Sequence, residues 1–158
     1  MCACCRGDVR ECITLDELTN TTQARHEQFN RTGIVIDMPV ARILVVDDED
    51  VILALTCRML ILHGYEVLRA HGSRQALEVV NNNRPIDLIV SDNQMPGMQG
   101  TDLISEIKQF SPKTACVLMT AGVVKPEHVP EGVTVLWKPF SIQGLISTVQ
   151  TALARPAS

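Results

Sequence analysis

Four polar stations interrupt the apolar part of this sequence: Asp47-Asp48 after ARILVV, Asp92 after IDLIVS, Thr120 closing TACVLMT, and Lys138 after GVTVLW. Clustered carboxylates repel one another, and a hard divalent cation with oxygen ligands relieves that repulsion. An ammonium and a hydroxyl added to such a cluster suit phosphoryl transfer. In that reaction a carboxylate attacks in line while the cation and the lysine neutralise the phosphoryl oxygens. No histidine, cysteine or serine stands at these stations with a base partner, which argues against hydrolases of the triad type. The plainer alternative is that Asp92 caps a turn and that Asp47-Asp48-Glu49-Asp50 decorates a helix start. Glu49 and Asp50 themselves read as favourable acids in a first helical turn.

The stations acquire meaning from the elements that must hold them. Apolar runs over residues 42–46, 65–70, 86–91, 114–120 and 132–137 read as strands, and the amphipathic stretches 51–64, 73–83, 101–110 and 140–154 read as helices. Strand and helix units in alternation predict a doubly wound α/β fold, a five-stranded parallel sheet covered on both faces and joined by right-handed crossovers. Parallel strands point the same way, so their carboxyl ends share one rim, and ligands of open α/β sheets bind there. YEVLRA alternates enough for an edge strand. Ser73 is expected to cap its helix. The helix over 51–64 is apolar beyond one stripe and is expected to meet both the sheet and a neighbouring helix. In MPGMQG, Met95 and Met98 read as packing, and Gly100 as relief for a tight backbone. Cys57 and Cys116, inside apolar segments, read as buried small hydrophobes. Between the last two strands, AGVVKPEHVPE carries Pro126 and Pro130, so that connection is predicted to be short and irregular rather than a full helix.

The chain has 158 residues, a formal charge of −4 and six cysteines. Basic residues are scattered, which argues against nucleic acid as a partner. No apolar run approaches the ~18 residues of a membrane span, and the start lacks an export pattern, so the cytoplasm is the expected compartment. Residues 1–39 are polar and read as an extension, flexible apart from one short helix around Leu15 to Phe29, preceding a domain over 40–158. Cys2, Cys4, Cys5 and Cys12 show no paired CxxC spacing, and an incidental thiol cluster is expected there rather than a metal site. His26, His63, His71 and His128 show no ligand spacing and read as ordinary surface or helix-end residues.

Taken in order, Asp47-Asp48, Asp92 with Met95-Pro96-Gly97-Met98-Gln99-Gly100, Thr120-Ala121 and Lys138-Pro139-Phe140 resemble the receiver domain of two-component response regulators, over residues 41–154. The resemblance implies a flavodoxin-like sheet of order 2-1-3-4-5 and phosphorylation of Asp92 by a sensor histidine kinase or a histidine phosphotransfer protein. It implies Mg²⁺ as cofactor, bound directly by Asp48, Asp92 and the backbone carbonyl of Gln94, and through water by Asp47. By the same resemblance Lys138 pairs with Asp92 and then with the phosphoryl group. Thr120 supplies the hydroxyl that moves toward that group. Pro139 holds the turn after Lys138, often through a cis bond in the family. Beyond slow loss of its own acyl phosphate, no conventional enzyme activity is implied.

Two departures stand out. Where the family usually places a mobile aromatic ring, three residues before the lysine, this chain has Val135, and strand alternation puts Trp137 on the same face as Val135. The second is the short connection before the fifth strand, the surface through which many relatives dimerise or bind targets. No output domain follows the last helix, so the expectation is a single-domain regulator acting on an unidentified downstream protein, with a phosphorylation-dependent homodimer as an open alternative. The competing readings are an interaction module that uses no phosphate and a carboxylate-type phosphohydrolase. The uncompensated acidic pocket speaks against the first, and the lack of a cap insertion against the second.

Overall fold

The structure, a computed structural model, describes residues 41–82 and 85–155. The expected extension over 1–39, with its helix and its four cysteines, lies outside the described residues. The described chain runs β1 (Arg42–Val46), α1 (Asp50–Leu62), β2 (Glu66–Ala70), α2 (Ser73–Asn82), β3 (Leu88–Asp92), α3 (Gly100–Phe110), β4 (Ala115–Thr120), a 3-10 turn at Pro126–His128, β5 (Thr134–Trp137) and α4 (Ile142–Ala154).

All strand pairs are parallel, in the order β2-β1-β3-β4-β5. The reason is visible strand by strand. β3 is LIVSD, buried along its whole length, as a strand covered on both faces must be. β2, EVLRA, exposes Glu66 and Arg69 and takes an edge, while the four-residue β5 takes the other. One face packs Ile43, Val45, Val90 and Met119 against α1 and α4 through Leu53, Leu60, Leu145 and Val149. The other packs Leu44, Val46 and Ile89 against α2 and α3 through Ala76, Val80, Leu103 and Ile107. Full burial of each such aliphatic side chain stabilises the fold by about 1.5–3 kcal/mol. Truncating a central one such as Leu103, fully buried, would cost about 2–5 kcal/mol because the cavity collapses only in part.

Element ends follow local chemistry. α4 starts where the Ser141 hydroxyl accepts the Gly144 N–H at 3.0 Å, an N-cap that satisfies one of the helix's unpaired donors. α1 ends at Leu62, and two residues on the chain turns at Gly64, whose φ of 88° favours glycine. Ser73, expected to cap α2, instead lies inside it: the Gly72 carbonyl accepts the Ala76 N–H at 3.0 Å, and Gly72 holds the cap position. The helix neighbour expected for α1 is α4, whose Leu145 and Val149 share one core cluster with Leu53 and Leu60. On the other side of α1, Val51, Leu55, Ile61 and Leu62 are exposed, since among the described residues α1 and α4 alone cover that face of the sheet. The connection from β4 to β5 holds only its one 3-10 turn, as its prolines predict. Val124 and Val133 from it close over Cys116 and Leu118 where another helix would lie.

Candidate functional site

The register brings the four stations to one rim. β1 ends at Val46, beside Ser91 of β3, and β3 ends at Asp92, beside Met119 of β4. β4 ends at Thr120, beside Trp137 of β5, so Asp47, Asp92, Thr120 and Lys138 all follow or close strands at the same sheet edge.

At the centre lies Lys138. Its Nζ is 2.7 Å from Asp92 Oδ1 and 3.0 Å from Asp47 Oδ2. Asp47 is fully buried and Asp92 is 5% exposed, so both carboxylates depend on such partners. Their remaining oxygens are used as well. Asp47 Oδ1 accepts the Glu49 N–H at 2.9 Å, and Asp92 Oδ2 accepts the Gln94 N–H at 2.7 Å. Burial works to lower the Lys138 pKa, but the hydrogen bonds and charges of Asp92 and Asp47 outweigh it and hold the ammonium above the ordinary lysine value. The backbone ties the lysine to β4 too, since its N–H donates to the Thr120 carbonyl at 2.8 Å; the Lys138–Pro139 bond is cis.

Thr120 is fully buried, and its hydroxyl is occupied. It donates to the Gly122 carbonyl at 3.0 Å and accepts the Gly122 N–H at 3.2 Å. Gly100 meets its expectation sharply: a Cβ there would strike the Asp92 carbonyl and stand 2.9 Å from Leu118 Cδ1 and 3.0 Å from the Asn93 Cα. Met95 is buried and Met98 partly buried in the core beneath the loop. Val135 is half-buried, whereas Trp137 is 54% exposed at the outer edge of β5.

Asp48 is exposed beside this pocket. Among the described residues no three His, Cys, Asp or Glu side chains converge into a metal-binding cluster. Mg²⁺ is held by one or two carboxylates with waters and phosphate oxygens rather than by a cage of side chains. Asp47, Asp48, Asp92 and the Gln94 carbonyl offer hard oxygens alone, a donor chemistry that fits such an ion. Two features were not legible in the sequence: the second partner of Lys138, which is Asp47, and Asn93, buried at the end of β3.

Residues 43–150 match the model of the response regulator receiver domain family. This chain is a response regulator receiver domain. It is similar to sporulation initiation phosphotransferase F of Bacillus subtilis (strain 168), 29% identical over 116 residues that cover 71% of this chain and 93% of that protein. It is likewise similar to the transcriptional regulatory protein GlrR of Escherichia coli (strain K12), 32% identical over 74% of this chain but only 27% of GlrR. This receiver chain therefore spans about a quarter of GlrR's length. Among solved structures, the chemotaxis protein CheY4 of Vibrio cholerae superposes with a TM-score of 0.66 at 32% identity, covering 72% of this chain and 98% of that one. As a receiver domain the protein belongs to two-component signalling, whose receivers interact with histidine kinases or phosphotransferases. No helix among the described residues is long and apolar enough to cross a membrane.

Proposed function

We propose that this receiver, working in the cytoplasm, takes a phosphoryl group on Asp92 and passes the signal on by protein contact. The observation that carries the reading is the Lys138 ammonium between Asp92 and the buried Asp47. A packing module has no use for two buried acids around one lysine at a ligand-binding rim, whereas phosphoryl transfer uses all three.

In the transfer, a carboxylate oxygen of Asp92 forms the new bond to phosphorus as the bond to the donor breaks. The donor, an imidazole nitrogen of phosphohistidine or an oxygen of a small phosphodonor, keeps the electron pair. Asp48, Asp92 and the Gln94 carbonyl would hold Mg²⁺, with Asp47 acting through water. When bound, the ion neutralises phosphoryl oxygens and orients the donor. Lys138 moves its hydrogen bond from the Asp92 carboxylate to a phosphoryl oxygen, and Thr120 turns its hydroxyl to another. A donor protein approaching the rim meets the exposed Val51, 76% accessible, and Leu55 of α1, apolar surface suited to a partner's contact.

Incubation with Mg²⁺ and a small phosphodonor tests the chemistry. The expected product is an acyl phosphate cleaved by neutral hydroxylamine. A phosphoryl group that resists hydroxylamine would place the modification on a hydroxyl or another group and contradict the reading.

A further inference from the structure

Next to the acidic pocket, one buried side chain leaves its acceptor idle. Asn93 is 9% exposed, and its Oδ1 is buried without a hydrogen-bond partner. An unpaired buried acceptor is costly and calls for a reason. The backbone of Asn93 is pinned, because its N–H donates to the Met119 carbonyl at 2.8 Å and its carbonyl accepts the Gly100 N–H at 3.0 Å. Only the carboxamide is left free to change partners.

Register shows which partners are near. Asp92 pairs with Met119, so Asn93 stands one step further on, level with Thr120. Ser91 pairs with Leu118, so Leu118 and Thr120 lie on the side of Ser91, and Asn93 follows at the bend where β3 ends, its N–H still on the Met119 carbonyl. The loop after β4 also crosses this segment, since a Cβ on Gly122 would stand 3.2 Å from Nε2 of Gln94. Gly122 is the residue that Thr120 now occupies, through both its N–H and its carbonyl. A threonine hydroxyl has one proton to donate. Once that proton turns to a phosphoryl oxygen, the short ring with Gly122 opens and the Gly122 N–H needs a new acceptor.

We propose that Asn93 is a positioning residue of the switch: its idle Oδ1 takes the Gly122 N–H when the Thr120 hydroxyl turns to the phosphoryl group on Asp92. The exchange keeps the donor paired and draws Gly122 onto the end of β3. It also gives the phosphorylated form a hydrogen bond that the resting form lacks, so the idle acceptor biases the domain toward switching. This inference rests on the phosphoacceptor reading of Asp92.

The test follows amide exchange at Gly122 by NMR, before and after phosphorylation with Mg²⁺ and a small phosphodonor, in the parent chain, Asn93→Leu and Asn93→Ala. Intact mass is read on the same samples. The parent is expected to keep Gly122 protected in both states. Both variants should match it before phosphorylation and exchange about tenfold faster at Gly122 afterwards, as the loss of one hydrogen bond implies. Asn93→Leu should melt no lower than the parent, because it removes an unsatisfied acceptor at similar volume. The alanine variant carries the same readout should the leucine not be accommodated. Equal protection of Gly122 in all three phosphorylated proteins, or its loss in the parent, overturns the role of Asn93 while leaving Asp92 as phosphoacceptor. A parent whose mass does not change overturns the phosphoacceptor reading and this inference with it.

Discussion

The Lys138 Nζ lies 2.7 Å from Asp92 Oδ1, so the ammonium from the edge strand neutralises the acid at the end of the central strand. The same nitrogen reaches Asp47 at 3.0 Å. Removing it in Lys138→Met leaves two buried carboxylates facing each other, which should lower stability by about 1–3 kcal/mol at neutral pH without unfolding the domain. The raised pKa sets the pH dependence. A lysine whose folded pKa lies above its unfolded value contributes stability that is fully present below about pH 10 and is lost as pH rises through the folded value. Denaturant unfolding from pH 8 to 12 should show that alkaline loss in the parent, and the loss should be smaller in Lys138→Met. Partner binding that still responds fully to phosphate in the variant would remove Lys138 from the switch.

Asp48 is exposed, while Asp47 and Asp92 are buried and already paired with Lys138. Asp48 is thus the carboxylate best placed to add charge for Mg²⁺ without breaking an existing contact. In Asp48→Ala, calorimetric Mg²⁺ affinity should fall at least tenfold, and the metal-free protein should be no less stable than the parent. Unchanged affinity would place the ion elsewhere.

Gly100 tests how closely α3 approaches the site. Alanine would favour a helix by about 1 kcal/mol, yet its Cβ would meet the Asp92 carbonyl and crowd Leu118. Overpacking of this kind costs about 1–3 kcal/mol. Gly100→Ala should therefore be destabilising and slow phosphorylation, because the Asp92 backbone has to shift. A stabilised variant would show that this approach is looser than the geometry indicates.

How the signal leaves the pocket is a separate expectation. Val135 offers no large ring to rotate, and Pro126–His128 is a single 3-10 turn. Phosphorylation should then change amide exchange locally over residues 121–134, beginning at Gly122's neighbours Ala121 and Val123. Changes confined to 47–50 and 92–100 would mean that another face carries the output.

The rim is legible in the sequence, because parallel strands must end together and four of the five are closed or followed by a polar station, whereas the sheet order is implied only by the resemblance to receiver domains. The sequence also shows the short connection before β5, since two prolines leave no room for a helix. What it hides is pairing. Asp47 and Asp48 are adjacent, and nothing in their types says that one is buried against Lys138 while the other faces solvent. The hydroxyl of Thr120 is spoken for by a glycine two residues on, and the acceptor of Asn93 is left over, facts that arise only from how the loops close. The cap of α2 falls to Gly72 rather than Ser73, because main-chain geometry there outweighs side-chain preference. Which apolar residues of α1 face the sheet and which stay exposed depends on how the helices pack, which no local pattern records.

The most direct test of the account is intact mass after incubation with Mg²⁺ and a small phosphodonor, measured on the parent and on Asp92→Asn. The account predicts one added phosphoryl group on the parent and none on the variant, which lacks the attacking carboxylate but keeps its volume. An equal gain in both proteins, or none in the parent, would contradict it.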